Sequence, residues 1–580
     1  MKHVMKNQVG GAFLVQGTAP EAAFFPEDLS EEHEMIQRTA NEFLAKEVEP
    51  HLAKIEAQDF DTVVSILKKA GDLGLLAHSI PEKFGGLGLD KISKAMVGEA
   101  LGGGGAYSVA HSNHTCIATL PITYYGTEEQ KKKYLPKLAS GEYLGAYCLT
   151  EPDAGSDAMS VKTTAVLNEA KTHYLLNGTK IFITNGAFSD TFIVYAKVDG
   201  EHFTAFIVEK DYPGLSLGPE EKKMGIKGSS TRSVILDNCE VPVENVLGEI
   251  GRGHIIAFSI LNLGRFNLGF ATNGGAKKAL KVTLDHILER KQFGRTIAEF
   301  RATMEKIAKL TVRIFTAESL LYRTAGLVEE KLAGLDLEKD KKKVAAGLSE
   351  YALESAICKV YGSETLDAVV DEGVQLHGGS GFIQEYRIEQ MYRDSRINRI
   401  FEGTNEVNRL LITGQFLKKV ENDELPYEHV VANAFLQLEK DADFSYTQLP
   451  EDLRSIFLVL TELARQKYGN RLAGEQEVTM KLADIAIALF AAESVSLRYE
   501  KHKDTRRAAL YLQLLTEAAL EDAANEVLLL VKRLEDELLS GEKELRERIY
   551  QRLLGYQFSG SIERNRKIAG KVYEKGEYIL

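Results

Sequence analysis

What most constrains the fold of this sequence is a change of hydrophobic period part-way along it. From Ser30 to about Gly145, apolar residues recur at spacings of three and four (Ile36, Ala40, Phe43 and Leu44, then Val63, Val64 and Leu67). Such spacing predicts helices that bury one face. Near Tyr147 the texture turns to short alternating runs at 174–176, 180–184, 192–196, 203–208 and 233–236, which predict strands. Asn177-Gly178, between the first two, predicts a hairpin turn. Helical spacing returns at Gly253 and continues to about Lys419. It breaks around 422–426 and resumes over 430–580, with no proline after Pro450. The expectation is a mainly α protein with a central β domain. A loosely ordered arm (1–25) would precede an N-terminal helical domain (26–145), a barrel-like β domain (146–250), a four-helix-type domain (251–420) and an extra helical domain (430–580).

At 580 residues the chain is too long for one core. Its 44% apolar and 27% charged residues are those of an ordinary soluble protein. A formal charge of −13 argues against a nucleic-acid binder, which needs a basic face to neutralise phosphates. Cys116, Cys148, Cys239 and Cys358 lie far apart with no CxxC pair, a pattern of reduced thiols rather than of disulfides or a zinc site. Lys2 and Lys6 are followed by Gly10, Gly11 and Gln16 before any apolar stretch of signal length, and no run of 18 apolar residues occurs. A cytoplasmic location is expected.

Two stretches carry chemistry. Arg399-Ile400-Phe401-Glu402-Gly403-Thr404-Asn405-Glu406 sets a carboxylate beside a glycine, a small hydroxyl residue and an amide. A carboxylate next to a residue without a side chain can approach a flat ligand closely and act on it as a base. Alone, Glu402 would read as an acid at a helix start. Tyr147-Cys148-Leu149-Thr150-Glu151-Pro152-Asp153-Ala154-Gly155-Ser156-Asp157 begins as a strand and becomes a loop, in which Pro, Gly, Ser and Asp force turns that present N–H groups and hydroxyls. Those suit the edge of a heteroaromatic ring.

This second stretch resembles the first signature of the acyl-CoA dehydrogenase family of flavoproteins, and 399–406 resembles that family's catalytic segment. Four further pieces match in the same order: Phe182-Ile183-Thr184-Asn185-Gly186, Lys223-Met224-Gly225, Arg290-Lys291-Gln292-Phe293-Gly294 and Gln375-Leu376-His377-Gly378-Gly379-Ser380-Gly381-Phe382. The resemblance covers about 30–415, and the block after 430 is similar to the extension of the very-long-chain type.

The resemblance implies FAD as cofactor. Tyr147, Leu149, Thr150 and Ser156 would line the flavin, Phe182 and Thr184 would cover its other side, and Thr404 and Glu406 would complete its site. Arg290, Phe293, Gln375 and Gly379 would meet the dinucleotide part from a neighbouring subunit, which implies a homo-oligomer, with a dimer favoured. Ser156, Arg265 and Gly403 would contact substrate, Arg265 near the CoA moiety. Glu402 would take the α-proton of an acyl-CoA while the β-hydrogen leaves as hydride to the flavin, giving the trans-2-enoyl-CoA. A minority of relatives carry their glutamate directly before the arginine that corresponds to Arg265; here that place is Gly264, so Glu402 is the candidate base.

Medium-to-long acyl chains are expected, since Gly102-Gly103-Gly104-Gly105 and small residues over 108–113 fall where the family floors its acyl pocket. A glycine-rich turn would read the same way. Electrons would pass to electron-transferring flavoprotein, within fatty-acid β-oxidation. An acyl-CoA oxidase, or a scaffold protein on the same fold, is the alternative. The apolar run 483–490 reads as a buried helix, and Arg564, Arg566, Lys567, Lys571 and Lys575 as a solvated basic face; neither supports a membrane site.

Overall fold

The structure is a computed structural model that describes residues 9–335, 339–440, 444–504, 509–558 and 560–580. The N-terminal domain packs α1 (Glu31–Phe43), α2 (Leu52–Glu56), α3 (Phe60–Asp72), α4 (Lys91–Leu101), α5 (Ala106–Ser112), α6 (Leu120–Tyr125) and α7 (Glu128–Ser140). The starts of α1, α3, α4 and α7 are set by side chains that accept orphan N–H groups. Ser30 accepts from His33 N (3.2 Å), Asp59 from Thr62 N (3.1 Å) and Asp90 from Ser93 N (2.6 Å), while Thr127 and Gln130 form a capping box. Phe43, Ile66, Leu67 and Tyr107 are buried in this domain's core.

The middle domain contains β1 (Gly145–Cys148), β2 (Thr164–Leu167), β3 (His173–Thr184), β4 (Thr191–Val198), β5 (His202–Glu209), β6 (Leu215–Leu217), β7 (Thr231–Pro242) and β8 (Val246–Leu247). The sheet order is β6-β7-β3-β2-β4-β5-β8, with β1 parallel on β4. Asn177-Gly178 makes no hairpin. It lies inside β3, which continues along β7 with register shifts at 176–178 and 180–183. The physical reason is a close crossing: a Cβ on Gly178 would lie 2.3 Å from Thr163 Oγ1. A hairpin turn is made instead by Asp199-Gly200 between β4 and β5, both left-handed at φ 51° and 80°.

The third domain is built on α8 (Gly253–Glu289), α9 (Arg301–Leu332), α10 (Lys341–Glu350), α11 (Ala352–His377), α12 (Arg387–Ser395) and α13 (Asn405–Glu421), with a small ribbon, β9 (Lys291–Gln292) and β10 (Arg295–Thr296), at the far end of α8. α8 is apolar around most of its circumference because α4, α9 and α11 all pack on it. The extension adds α14 (Tyr427–Glu439), α15 (Leu449–Tyr468), α16 (Gln476–His502), α17 (Ala509–Leu538), α18 (Lys543–Gly555) and α19 (Ser561–Lys575). Bundle and extension share one continuous core, so the extension is not a tethered module. The 483–490 run is a buried part of α16.

Two expectations fail. The stretch read as a loose arm is packed from Gly10 onward, residues 1–8 lying outside the described residues. Phe13, Leu14 and Phe25 are buried; Gly11 N donates to Glu354 Oε1 (2.6 Å), Arg454 Nε to Phe13 O (2.8 Å) and Thr18 N to Glu493 Oε1 (3.2 Å). So short an apolar run shows no period, and its partners lie hundreds of residues away. Arg564 is likewise no solvated base: it is buried and paired with Glu521, while Arg566, Lys567, Lys571 and Lys575 are exposed.

Candidate functional site

A cavity of about 1010 Å³ opens where the N-terminal, middle and third domains meet. Its wall from the middle domain is the loop after β1. Lys180, fully buried on β3, pairs with Glu151 (2.7 Å) and donates to Leu149 O (3.2 Å); Ile181 N donates to Thr150 O (2.9 Å). A buried, doubly satisfied cation of this kind fixes the loop against the sheet. Tyr147, Leu149, Thr150 and Ser156 are thereby set along the cavity. The bulge at 180–183 turns Phe182 outward with φ 58°, leaving its ring 60% exposed beside Thr184 at the cavity edge.

Facing this wall is the loop that precedes α13. Thr404 caps that helix by accepting from Val407 N (3.2 Å). Before it, Glu402 and Gly403 are both left-handed, φ 58° and 81°. For glutamate this conformation costs roughly 1–2 kcal/mol, so the surroundings must impose it. Three side chains do. Arg265 on α8 donates from Nε to Glu402 O (3.1 Å), Lys359 on α11 to Gly403 O (2.8 Å), and Asn408 to Gly403 O (2.8 Å) and Thr404 O (3.0 Å). The result aims the Glu402 carboxylate into the cavity, with Oε2 sealed from water and without a hydrogen-bond partner. Burial pushes its pKa up to about 7, against the opposing pull of Arg265 and Lys359. Burial pushes Lys359 down to about 7. Tyr147, whose hydroxyl is also buried and unpartnered, is held far above the usual phenol range chiefly by burial.

Gly264 leaves room for the Glu402 carboxylate. A Cβ at that position would lie 2.7 Å from Glu402 Oε2, so a side chain on α8 at this turn would push the carboxylate from the place it holds.

The comparisons with known proteins bear on the whole chain. Models of the acyl-CoA dehydrogenase N-terminal, middle and C-terminal domains match residues 30–142, 146–239 and 251–417, and a further acyl-CoA dehydrogenase C-terminal domain matches 452–539. A probable acyl-CoA dehydrogenase of Bacillus subtilis is 49% identical over 532 residues, 90% of each chain. This chain belongs to the acyl-CoA dehydrogenase family. A crystal structure of an acyl-CoA dehydrogenase complexed with FAD from Bacillus anthracis has 47% identity and a TM-score of 0.96, covering 99% of this chain and 100% of that one. The human mitochondrial very long-chain specific enzyme is 38% identical over 429 residues, 70% of this chain and 61% of its own.

In this dehydrogenase the residues singled out from sequence fall into two places. Tyr147, Leu149, Thr150, Ser156, Phe182, Thr184, Arg265, Glu402, Gly403 and Thr404 all line the cavity. Arg265 is turned beneath Glu402, its guanidinium also holding Asn262 Oδ1 (2.9 Å), rather than reaching outward for a CoA group. Glu406 does not line the cavity; it is exposed in the first turn of α13, its pKa lowered by backbone and Thr404 hydrogen bonds. Arg290, Phe293, Gln375 and Gly379 lie elsewhere, exposed at the far ends of α8 and α11. By helix rise Arg290 is roughly 37 Å along α8 from Arg265.

Sequence reading missed Lys359, Asn408 and the Glu151–Lys180 pair. The available signal was a lysine set in the apolar run Ala356-Ile357-Cys358-Lys359-Val360, since a charge on a buried face needs a partner. Gly102, Gly103 and Gly105 line the cavity with Ser108, Val109, Ser112 and Asn113, and two of these glycines also permit close packing. A Cβ on Gly102 would lie 2.1 Å from Ala271 O and one on Gly103 3.0 Å from Lys278 Cγ. Both let this turn press against α8.

Proposed function

We propose that this oxidoreductase is an FAD-dependent dehydrogenase that converts a saturated acyl-CoA to its trans-2-enoyl-CoA, with Glu402 as the base. One observation carries the assignment: a carboxylate with an unpartnered oxygen, held at a left-handed backbone turn and raised to about 7, faces a cavity formed by three domains. A base poised near neutrality can both accept a proton and be regenerated.

The cavity suits a flat heteroaromatic group. It joins an exposed aromatic side chain at Phe182 and the orphan hydroxyl of Tyr147 to a lining of threonine and serine hydroxyls. Thr150, Ser156, Thr184 and Thr404 would hold the flavin's edge, and FAD bound there would supply the hydride acceptor. The remaining chemistry belongs to the chain. Glu402 removes the α-proton; Arg265 and Lys359 clamp the two carbonyls that set its direction; Gly264 and Gly403 leave the approach open. Closure by an apolar acyl chain would dry the carboxylate further and strengthen it as a base.

Medium-to-long acyl chains, electron-transferring flavoprotein as acceptor, a role in β-oxidation, a cytoplasmic setting and a homodimer complete the reading. The relative named very long-chain specific supports the first of these. The exposed quartet Arg290, Phe293, Gln375 and Gly379 supports the last, because one chain cannot bring those groups to its own cavity. The test is anaerobic titration of the FAD-loaded protein with acyl-CoAs from short to long, following flavin absorbance. Bleaching strongest with long chains is expected; bleaching with none overturns the reading. Oxygen consumption during turnover would identify an oxidase instead.

A further inference from the structure

The loop that carries Glu402 is tied into the extension by an unbroken series of polar contacts. Lys359 Nζ donates to Gly403 O (2.8 Å) and to Asn405 Oδ1 (2.6 Å). The Asn405 amide in turn donates to Ser363 Oγ (3.1 Å) and Glu364 Oε1 (3.0 Å). Glu364 is gripped by both terminal nitrogens of Arg409, at 2.8 and 3.2 Å. Arg409 then donates from Nε to Asp484 Oδ1 (2.6 Å) on α16. Lys359 and Asn405 are buried, and the side chains of Arg409, Asp484 and Glu364 are only 16%, 23% and 29% exposed. In such partly dry surroundings, charge-assisted contacts of good geometry hold position well.

We propose that Asp484 of the extension is a positioning residue for the catalytic loop, acting through Arg409, Glu364, Asn405 and Lys359 on the Gly403 carbonyl and so on the aim of the Glu402 carboxylate. This rests on the dehydrogenase reading above and gives the extension a part in catalysis. Without Asp484, Arg409 recentres on Glu364, Glu364 draws away from Asn405, and Lys359 loses the partner that keeps it under the loop. The ionisable groups around the two ends are Arg265, Tyr147 and Cys116 toward Glu402, Glu406 toward Lys359, Arg313 and Glu526 toward Glu364 and Asp484, and Lys481 toward Asp484. Arg265 stays charged throughout, so a change at Lys359 is what Glu402 feels.

The test uses the full-length FAD-loaded protein. Flavin reduction by acyl-CoA is followed by rapid anaerobic mixing across pH, and the Glu402 carboxyl is titrated by infrared difference spectroscopy, with Glu402→Gln assigning the band. Asp484→Asn should raise the carboxyl's apparent pKa by about half a unit or more and slow reduction roughly tenfold, with KM and FAD content unchanged. Asp484→Glu should restore most of both. Lys359→Met should produce the same shift, and adding Asp484→Asn to it should change little further. Lys467→Met, at an exposed pair with Glu537 on the extension, should behave as wild type. A wild-type titration and rate in Asp484→Asn, or full additivity with Lys359→Met, overturns the proposal. Should Asp484→Asn fail to fold, Arg409→Lys keeps the charge but not the two-sided fork, and wild-type behaviour there overturns it equally. If no acyl-CoA reduces the wild-type flavin, the functional reading fails, while the infrared titration still tests the relay.

Discussion

At one end of the paired helices α8 and α11, Arg265 and Lys359 are buried and each is committed to a backbone carbonyl of the same loop. At the other end, the same two helices lead to Arg290, Gln375 and Gly379 in the open, with Phe293 93% exposed and Phe382 84% exposed. The first end is completed by three domains of one chain. The second presents bare rings and a cation, a surface of the kind that marks an interface. The contrast separates what this fold finishes alone from what, on the proposed reading, a second subunit would complete.

The sharpest way to break the contrast is to remove the proposed base. Glu402→Gln should lower the rate of flavin reduction by about 10³–10⁴-fold while FAD content, and everything at the exposed end, stays as in wild type. Because burial raises the Glu402 pKa to about 7, the folded state holds a proton that the unfolded state has lost between the ordinary carboxylate range and neutrality. Stability therefore falls as pH rises through that window, and thermal melts should show Glu402→Gln gaining on wild type over the same range. Next in size, Gly264→Ala should slow reduction about 100-fold through the 2.7 Å conflict with Oε2, with melting temperature little changed. A melt as damaged as the rate would mean that α8 itself, not the carboxylate, had moved.

At the exposed end the expected signature is reversed. Arg290→Ala with Phe293→Ala should weaken FAD retention and subunit association by about 10–100-fold, read by FAD content and sedimentation, with the rate per bound flavin held within about twofold. Loss of rate without loss of FAD would erase the distinction between the ends. Smallest, Lys359→Met should move the rising limb of the pH–rate profile to higher pH by about one unit. The sign follows from removing a cation that favours ionised Glu402. A limb that stays put, or moves down, would sever Lys359 from the base.

Much of this was legible in the sequence because local signals and chemistry coincided there. The loop after β1 and the segment 399–406 gather small, hydroxyl and acidic residues that a surface turn would not need in that order. The helix–β–helix–helix order followed from a change in period that survives any local misreading. What could not be read depends on distance in the chain. Asn177-Gly178 carries a turn signal, but Thr163 crosses close above it, and no local rule encodes that crossing. Val9 to Phe25 looks structureless because its partners are Glu354, Arg454 and Glu493. Lys359 stands out in the sequence only as a charge in an apolar run, and its partner, Gly403 O at 2.8 Å, lies far along the chain. The quartet at the exposed end was found only through family resemblance, since each member alone is an ordinary surface residue.

The buried N-terminal segment also sets a timetable for synthesis. Gly11, Phe13, Thr18 and Glu27 are bonded to Glu354, Arg454, Glu493 and Arg498, so this segment leaves a ribosome well before the helices that hold it. At about 5–20 residues per second, Phe13 and Leu14 wait on the order of half a minute or more with their apolar side chains exposed. A nascent chain of this protein therefore docks residues 10–28 only after α15 and α16 have been made.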